Sequence, residues 1–566
     1  MKRFAKITAV VILAIALIAA IVGCQKYDWG PIGSTDKEGD VTGNGTLAVV
    51  QRDTLYFVNG KDDLSSIVEP KNNYFGNASK KGSVYKADLN SDGSISNVQL
   101  LVPKMFYTGN SGGGIYVYGE WIYYTSPSTE TDKSGSVLTS QQEFLRTKTD
   151  GTKTQQIALL SSNTYDYVFT PSGLFYYNST DRKLVTVSYD ESDVGKSRDI
   201  AEKVSGVNFV RDGSYQYGKS ELSDVIFYTV DVDSEDSSAV YGNTAYACDY
   251  SGRVIKLIDK DTYGVEGSAI LQRQYSIGLL ASVVESDGSV TLYYTKTGYE
   301  GSTSSEYNVF TVAYKFGASD LAFEGADATK ASVNKDRERI IARSALSSIT
   351  PVSYDYGVLV VSESAFYRYY NDGVDCVKAP INPSDDDDGT GEAMSGAPTI
   401  IGIFDETAGV SNGNSAGKYV YYTISNVLYK LNLGGGYEIK LTDSAQDTIV
   451  GDFVKPSIVK RGSGDNEKWL LFYQNGVNSN YVYYMDIKSF DLSGDVIQGL
   501  PVGGFYGVDE YKDDKNYAYD EASGNYKVTD PDDSNSVISI KTALPRTMTA
   551  TDLATYIRDN KVTDED

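Results

Sequence analysis

The stretch Trp121-Ile122-Tyr123-Tyr124 places two adjacent aromatic residues inside an apolar run with the composition of a β-strand. An equivalent doublet of aromatic or large apolar residues recurs along the chain at intervals of 51 to 67 residues. The doublets are Tyr56-Phe57, Tyr123-Tyr124, Tyr176-Tyr177, Phe227-Tyr228, Tyr293-Tyr294, Val360-Val361, Tyr421-Tyr422 and Phe472-Tyr473. Self-similarity at a nearly fixed period is typical of repeat proteins. The sequence therefore predicts eight copies of one structural unit.

The neighbourhood of each doublet has a common layout. After Tyr123-Tyr124 comes a second strand-like run, Phe144-Leu145-Arg146-Thr147-Lys148, then the turn Asp150-Gly151, then Gln156-Ile157-Ala158-Leu159. Asp-Gly tolerates the positive φ angles of tight hairpin turns. In the next copy, Asp166-Tyr167-Val168-Phe169 precedes the doublet as a further strand. Each unit is thus predicted to contain four antiparallel strands, A to D, with the doublet in strand B.

Four-stranded units repeated around an axis form a β-propeller. We therefore predict an all-β fold, an eight-bladed β-propeller of four-stranded antiparallel blades over residues 46–507. Two alternatives remain open from the sequence. One is a seven-bladed ring with an irregular sheet outside it, and the other is a pair of β-sandwiches.

The second and third copies carry a resemblance to a known family. Trp121-Ile122-Tyr123-Tyr124 with the run from Phe144 to Gly151 resembles a bacterial propeller repeat of unknown function, related to the YWTD propellers of low-density-lipoprotein-receptor type. Leu174-Phe175-Tyr176-Tyr177 with Leu184-Val185-Thr186-Val187 is similar. The sequence departs from YWTD proper because no copy contains Trp-Thr-Asp. The resemblance implies a propeller fold and surface binding, and it implies no catalytic residues.

The first residues have the layout of a bacterial lipoprotein signal. Basic residues precede an apolar run over residues 7–22, and Ile21-Val22-Gly23-Cys24 resembles the lipobox read by lipoprotein signal peptidase. This predicts a signal peptide over 1–23 and lipidation of Cys24, which would hold the exported chain at a membrane surface, in the periplasm or at the cell surface. The alternative is an N-terminal transmembrane anchor, but the run has 16 residues where about 20 are needed to span a bilayer.

The segments flanking the ring differ from it in composition. Residues 24–45 are polar and glycine-rich, so they are predicted to form a flexible tether. Residues 508–566 form an acidic C-terminal extension, in which 551–557 is predicted to be a short helix.

Charge and composition exclude several function classes. The formal net charge of -25 disfavours binding to nucleic acid. The chain contains no histidine, which excludes Ser-His-Asp and Cys-His nucleophile systems and zinc sites of the HExxH kind. Hydrolysis by a pair of carboxylates needs no histidine and remains open.

Long connections between predicted strands indicate where a partner could bind. Four connections assigned as B–C are long: Asn59 to Gly82, Ser126 to Gln142, Asp231 to Asn243 and Lys296 to Tyr307. Two assigned as D–A are also long: Gly317 to Ser348 and Ala379 to Pro398. B–C and D–A connections open on the same face of a propeller, and insertions on one face often mark a binding face. Two A–B connections, Asp212 to Asp224 and Asp405 to Lys418, are also long and oppose this interpretation. A helix is expected near residues 331–343.

One short segment resembles the beginning of a Ca²⁺-binding loop. Asp88, Asn90 and Asp92 stand at positions 1, 3 and 5, with Gly93 at position 6, but position 12 is Gln99 where a glutamate is expected. The segment also falls where the repeat requires a C–D hairpin turn, which is the preferred interpretation. Ca²⁺ remains a weak candidate, and no other cofactor is predicted. Cys248 and Cys376 are expected to be buried free thiols.

Together these features predict a lipid-anchored, extracytoplasmic propeller that binds a protein, peptide or glycan at the cell envelope without catalysis. The alternatives are a glycan hydrolase or lyase that uses Asp/Glu pairs, and a scaffold in envelope assembly.

Overall fold

A computed structural model of the chain describes most of the predicted ring and part of the C-terminal extension. The described residues are 41–59, 83–102, 114–127, 141–151, 154–161, 167–170, 173–188, 195–209, 216–217, 225–231, 243–258, 276–299, 307–326, 330–362, 365–381, 398–406, 417–433, 438–442, 449–450, 456–462, 464–475, 481–488, 495–496, 505–507, 516, 518–520, 522–541 and 547–563. The signal segment 1–23 and Cys24 lie outside them. Within the described residues, none of the helices has the length and apolar character needed to cross a bilayer.

Eight four-stranded antiparallel sheets make up the ring, each built from strands in chain order. Blade 1 contains Ala48–Gln51, Thr54–Asn59, Ser83–Leu89 and Ile95–Val102; blade 2, Ile115–Tyr118, Trp121–Pro127, Gln141–Lys148 and Thr154–Ser161; blade 3, Tyr167–Thr170, Gly173–Asn178, Lys183–Ser188 and Ser197–Ala201; blade 4, Val204–Phe209, Ile226–Asp231, Asn243–Cys248 and Val254–Ile258. Blade 5 contains Ser276–Val284, Val290–Tyr299, Tyr307–Phe316 and Arg339–Ala342; blade 6, Ile349–Ser353, Gly357–Ser362, Ala365–Asn371 and Cys376–Ile381; blade 7, Thr399–Glu406, Gly417–Ile424, Val427–Asn432 and Glu438–Lys440; blade 8, Ser457–Arg461, Lys468–Asn475, Tyr481–Asp486 and Asp495–Val496, with Ile449–Val450 also paired to its second strand. The predicted eight-bladed propeller is confirmed, and the seven-bladed and sandwich alternatives are wrong.

The doublets lie in the second strand of every blade, where they pack against both neighbouring blades. Successive side chains of a strand point to opposite faces of the sheet. Tyr123 therefore packs in the core shared by blades 2, 3 and 4, whereas Tyr124 packs with residues of blade 1. Tyr421 and Tyr422 divide in the same way between the interfaces of blade 7 with blade 8 and with blade 6. The doublet is thus the sequence signature of a sheet buried on both faces.

The C–D turns predicted at Asp92-Gly93, Asp150-Gly151, Ser251-Gly252 and Asp372-Gly373 are present, and those predicted at Gly434-Gly435 and Ser493-Gly494 lie outside the described residues. Gly93 and Gly252 have φ angles of 83° and 80°, a region that glycine enters without steric cost. A Cβ on Gly93 would also lie 2.7 Å from Cδ of Lys468 in blade 8. The turn after blade 1's third strand therefore favours glycine for its backbone conformation, and it lies against the Lys468 side chain of the last blade.

The ring closes through side chains, since blades 1 and 8 each take all four strands from their own segment of the chain. Leu470, Phe472 and Val482 of blade 8 pack into the core of blade 1. At the end of blade 8's first strand, Arg461 donates to the carbonyl oxygens of Leu89, Asn90 and Arg52 at 2.9, 3.4 and 3.3 Å, and also to the Asp53 carboxylate. This arginine joins two turns of blade 1 to blade 8.

A strand that precedes blade 1 lies inside the ring. Val41–Thr46 pairs antiparallel with Ile115–Tyr118, the first strand of blade 2, and Gln216–Tyr217 pairs with its other edge. Residues 41–45 thus belong to a sheet, although the sequence assigned them to the tether. The inner edge of blade 2 offers unpaired backbone groups, and pairing satisfies them.

The C-terminal extension forms a small sheet and a helix. Ala518–Asp520, Asn525–Asp530 and Asp533–Ile540 pair in chain order, and the helix Ala550–Asp559 contributes Ile557 to a small core with Val528 and Ile540. Phe505–Gly507 pairs with Thr547–Thr549, which lies beside the outermost strand of blade 1. The extension therefore contacts the ring next to the point of closure.

We predict that Arg461→Ala lowers the free energy of unfolding by about 1–3 kcal/mol, because it removes several hydrogen bonds from a charged donor across the closure. Urea titration followed by circular dichroism measures the change. Arg253→Ala is the matched control: its guanidinium pairs with Asp249 inside one blade and its side chain is 53% exposed, so the loss should stay below about 1 kcal/mol. Equal losses in the two variants would contradict a special role for Arg461 in closure.

Candidate functional site

The strand order defines two faces of the ring. First strands contact one another between blades 8 and 1, 1 and 2, 4 and 5, and 5 and 6, so strand A is innermost. B–C and D–A connections then leave one face, which we call the upper face, and A–B and C–D connections leave the opposite, lower face. These two surfaces and the channel between them are where a propeller can meet a ligand.

Long connections are concentrated on the upper face. Of the ten connections of at least ten residues between described blade strands, seven belong to the upper face and three to the lower face. The upper set comprises residues 60–82, 103–114, 128–140, 232–242, 259–275, 382–398 and 441–456; the lower set comprises residues 210–225, 317–338 and 407–416. The predicted asymmetry is therefore present, although individual assignments differ.

Three of the predictions are wrong, and all concern blade 5. The B–C connection predicted to be long between Lys296 and Tyr307 has only seven residues, 300–306, because its two flanking strands are each ten residues long. The insertion expected between D and A over 317–348 is a C–D connection on the lower face, because Arg339–Ala342 supplies the fourth strand by pairing with Tyr307–Phe316. The helix expected near residues 331–343 is a single 3-10 turn, Lys335–Arg337, followed by that strand. The sheet gains its fourth strand and buries Ile341, which outweighs the local helix propensity.

Part of the upper face is held by charged side chains between blades 3 and 4. Arg182, in the B–C turn of blade 3, donates to the carbonyl oxygens of Lys203 and Val204 at 3.2 and 3.3 Å and forms an ion pair with Asp231 of blade 4. Lys183 lies between Asp199 at 2.5 Å and Glu202 at 3.2 Å, and their hydrogen bonds raise the pKa of its ammonium group. This part of the face is polar and exposed.

Two carboxylates with lysine partners are buried within blades. In blade 7, the side chains of Lys430 and Glu406 are 0% and 1% exposed and lie 2.8 Å apart, and the Tyr421 hydroxyl donates to the same carboxylate. Burial, with the nearby Glu406 charge, raises the pKa of Tyr421 and keeps it a donor. In blade 5, Lys296 pairs with Glu338 at 2.7 Å. A glycosidase needs carboxylates that reach substrate, whereas the side chains of Glu406 and Glu338 are only 1% and 4% exposed.

Sequence reasoning did not identify these buried pairs. The available signal was a lysine at a core-facing position of an apolar strand, as in Val427-Leu428-Tyr429-Lys430-Leu431. A charge in such a position must have a partner. The sequence of this strand predicts that Lys430 has an acidic partner. It does not identify Glu406 as that partner, because Glu406 lies 24 residues away in another strand.

The Ca²⁺ candidates Asp88, Asn90 and Asp92 lie in and beside the C–D turn of blade 1. Asp92 accepts hydrogen bonds from the amide and hydroxyl of Ser94 at 2.9 and 2.6 Å, which lowers the pKa of its carboxyl group. Asp88 accepts from the Asn97 amide at 2.5 Å, outside the turn. The preferred turn interpretation is confirmed, and calcium binding stays a prediction. Within the described residues, no group of three or more Asp, Glu, His or Cys side chains is placed to hold a metal ion.

The two cysteines after residue 24 are free thiols, as expected, but differ in burial. Cys248 is fully buried in blade 4, and desolvation raises the pKa of its thiol. Cys376 is only partly buried, and its sulfur contacts the carbonyl oxygen of Ile340 at 3.2 Å.

No protein-family model and no curated protein matches the chain. Among solved structures, it is similar to the β-propeller domain of the Trilobed protease from Pyrococcus furiosus, described as having an open velcro topology, with 12% identity and a TM-score of 0.31 over 72% of this chain and 98% of that one. Porphyromonas gingivalis dipeptidyl peptidase 4 gives 8% identity and a TM-score of 0.36 over 86% of this chain. A puromycin-hydrolyzing peptidase of Mycobacterium tuberculosis gives 10% identity and a TM-score of 0.31 over 78% of this chain. The chain spans only 62% and 60% of these two peptidases, and likenesses this distant say nothing about its activity.

We predict that Lys430→Met costs about 3–5 kcal/mol in the free energy of unfolding, because it leaves the Glu406 carboxylate buried without its counter-charge. Urea titration measures the loss. Lys418→Met in the same blade is the control, since its partner Asp405 is 75% exposed and the pair should contribute less than about 1 kcal/mol. A small loss for Lys430→Met would contradict the structural role given to this pair.

Proposed function

We propose that the protein is a lipid-anchored propeller of the cell envelope that binds a protein, peptide or glycan on its upper face without catalysis. The observation that supports binding is the concentration of long connections on that face, seven of ten. A rigid ring with variable connections on one side is a common arrangement for recognition, because the scaffold holds the loops while their sequences diverge.

The chemistry of the described interior supports binding over catalysis. The carboxylates of Glu406 and Glu338 are enclosed and neutralised by lysines, which suits a structural role. The absence of histidine from the sequence removes the commonest general base. Release of reducing ends when the purified chain is incubated with a panel of glycans would contradict this part of the proposal.

Anchoring rests on the sequence around Cys24. Acyl chains on this residue hold the protein at the membrane, since each buried methylene contributes about 0.8 kcal/mol and stable attachment needs more than one chain. The polar segment that follows separates the lipid from the ring. The anchor places the protein outside the cytoplasm, in the periplasm or at the cell surface.

We predict that the wild-type chain, expressed in a bacterial host fed an alkyne analogue of palmitate, carries the label and sediments with membranes. Cys24→Ala should lose both properties, because the sulfur that accepts the lipid is gone. Cys376→Ser is the control and should keep both. Label that persists in Cys24→Ala, or is missing from the wild type, would overturn the anchor.

We predict that a benzophenone amino acid at Thr180 or Glu202, both exposed in upper-face connections, cross-links one and the same envelope component in cells. The matched lower-face positions are Lys196 and Val374, also exposed, where that product should be absent. Mass spectrometry of the cross-linked products provides the comparison. Equal capture at both faces, or capture only at the lower face, would contradict an upper binding face.

A further inference from the structure

We infer that the lower face of the ring is turned toward the membrane and that the upper face points away from it. The inference rests on the proposed lipidation of Cys24, and it adds an orientation that the anchor alone does not define. It is carried by the strand Val41–Thr46, which lies between the tether and blade 1.

The direction of this strand shows where the chain enters the ring. The first strand of blade 2 follows a D–A connection and leads into the A–B turn at Gly119-Glu120, so it runs from the upper to the lower face. Val41–Thr46 is antiparallel to it, with Thr46 opposite Ile115 and Thr42 opposite Val117. Its first residues therefore lie toward the lower face, and its last toward the upper face.

A second pairing places the entry point at the same end. Gln216–Tyr217 belongs to the A–B connection of blade 4, which leaves the lower face. It pairs with Thr42 and Val41, the first residues of the N-terminal strand. Blades 2 and 4 thus hold the entering chain from both sides where it passes into the channel from below.

The length of the tether favours this orientation over the reverse. Sixteen residues separate Cys24 from Val41. A flexible segment of that length, as its composition predicts, has a root-mean-square span of about 20–24 Å and a limit of about 55 Å. If the upper face lay at the membrane, the tether would have to run outward beneath a four-stranded blade and then along the outside of that blade to the upper face. The width of the blade and the length of its strands are each about 20 Å. That path of about 40 Å is roughly twice the typical span.

The orientation gives the two faces different environments. The upper face, with most of the long connections, is presented to the space beyond the membrane, where envelope proteins and glycans are accessible. The lower face, with its short Asp-capped turns and the Arg461 closure, faces the lipid headgroups across the tether.

The test measures energy transfer from a fluorophore on the ring to acceptor-labelled lipid in phosphatidylcholine vesicles, using the full lipidated chain. A Cys376→Ser background leaves only the buried thiol of Cys248 besides the lipidated cysteine. Probes are attached through Thr180→Cys and Lys196→Cys, on the upper and lower sides of blade 3. A second pair, Ser425→Cys and Asp405→Cys, marks the upper and lower sides of blade 7, which lies four blades away across the ring. Averaging the transfer from the two upper probes, and from the two lower probes, cancels the effect of a tilt of the ring against the membrane.

We expect the mean transfer from the two lower positions to exceed that from the two upper positions at least twofold. Equal or reversed means would overturn the orientation while leaving the anchor intact. Flotation of each labelled chain with the vesicles, compared with Cys24→Ala, checks the anchor separately. A wild-type chain that fails to float would overturn the lipid anchor, and the orientation with it.

Discussion

Every blade of this ring is buried on both faces, and that constraint organises the rest of the structure. Because neighbouring side chains of a strand point in opposite directions, two adjacent large residues in the second strand supply one contact to each neighbouring blade. Tyr123 and Tyr124 divide in this way, as do Tyr421 and Tyr422. Tyrosine suits the position of Tyr124, since its ring packs while its hydroxyl is hydrogen-bonded to that of Thr147 at 2.8 Å.

Because each blade must be covered on both faces, the interface between blades 8 and 1 has to form for the ring to close. Blades 8 and 1 share no strand, so the circle is completed there by side-chain packing and by hydrogen bonds from side chains. Phe472 fills the apolar part of that interface, and Arg461 bonds to the polar turns at its lower end. Lys430 and Glu406, buried inside blade 7, are paired within their own sheet.

Much of the fold could be predicted from the sequence, because a repeated doublet reports a repeated environment. Strand order, blade number and the turns at glycine follow from local pattern. The blade 5 insertion could not be placed, since residues 317–338 interrupt the repeat between its third and fourth strands and Arg339–Ala342 is a short, weak strand signal. Val41–Thr46 escaped prediction because its glycine-rich sequence has little strand propensity and its partner lies in blade 2. The concentration of long connections on the upper face was predictable from the lengths of the connections alone. The buried ion pairs were not, because their partners are distant in sequence.

The N-terminal strand also has a mechanical consequence. A pull on the proposed lipid anchor would act on Val41 along the strand axis, out through the lower opening. Hydrogen bonds of an antiparallel ladder run perpendicular to the strands. The load is therefore shared as shear across the pairs that join this strand to Ile115–Tyr118, and the bonds do not open one by one. Drag from a bound partner would therefore pass to the proposed anchor through the blade 2 sheet and through Gln216–Tyr217 of blade 4, which also pairs with Val41 and Thr42.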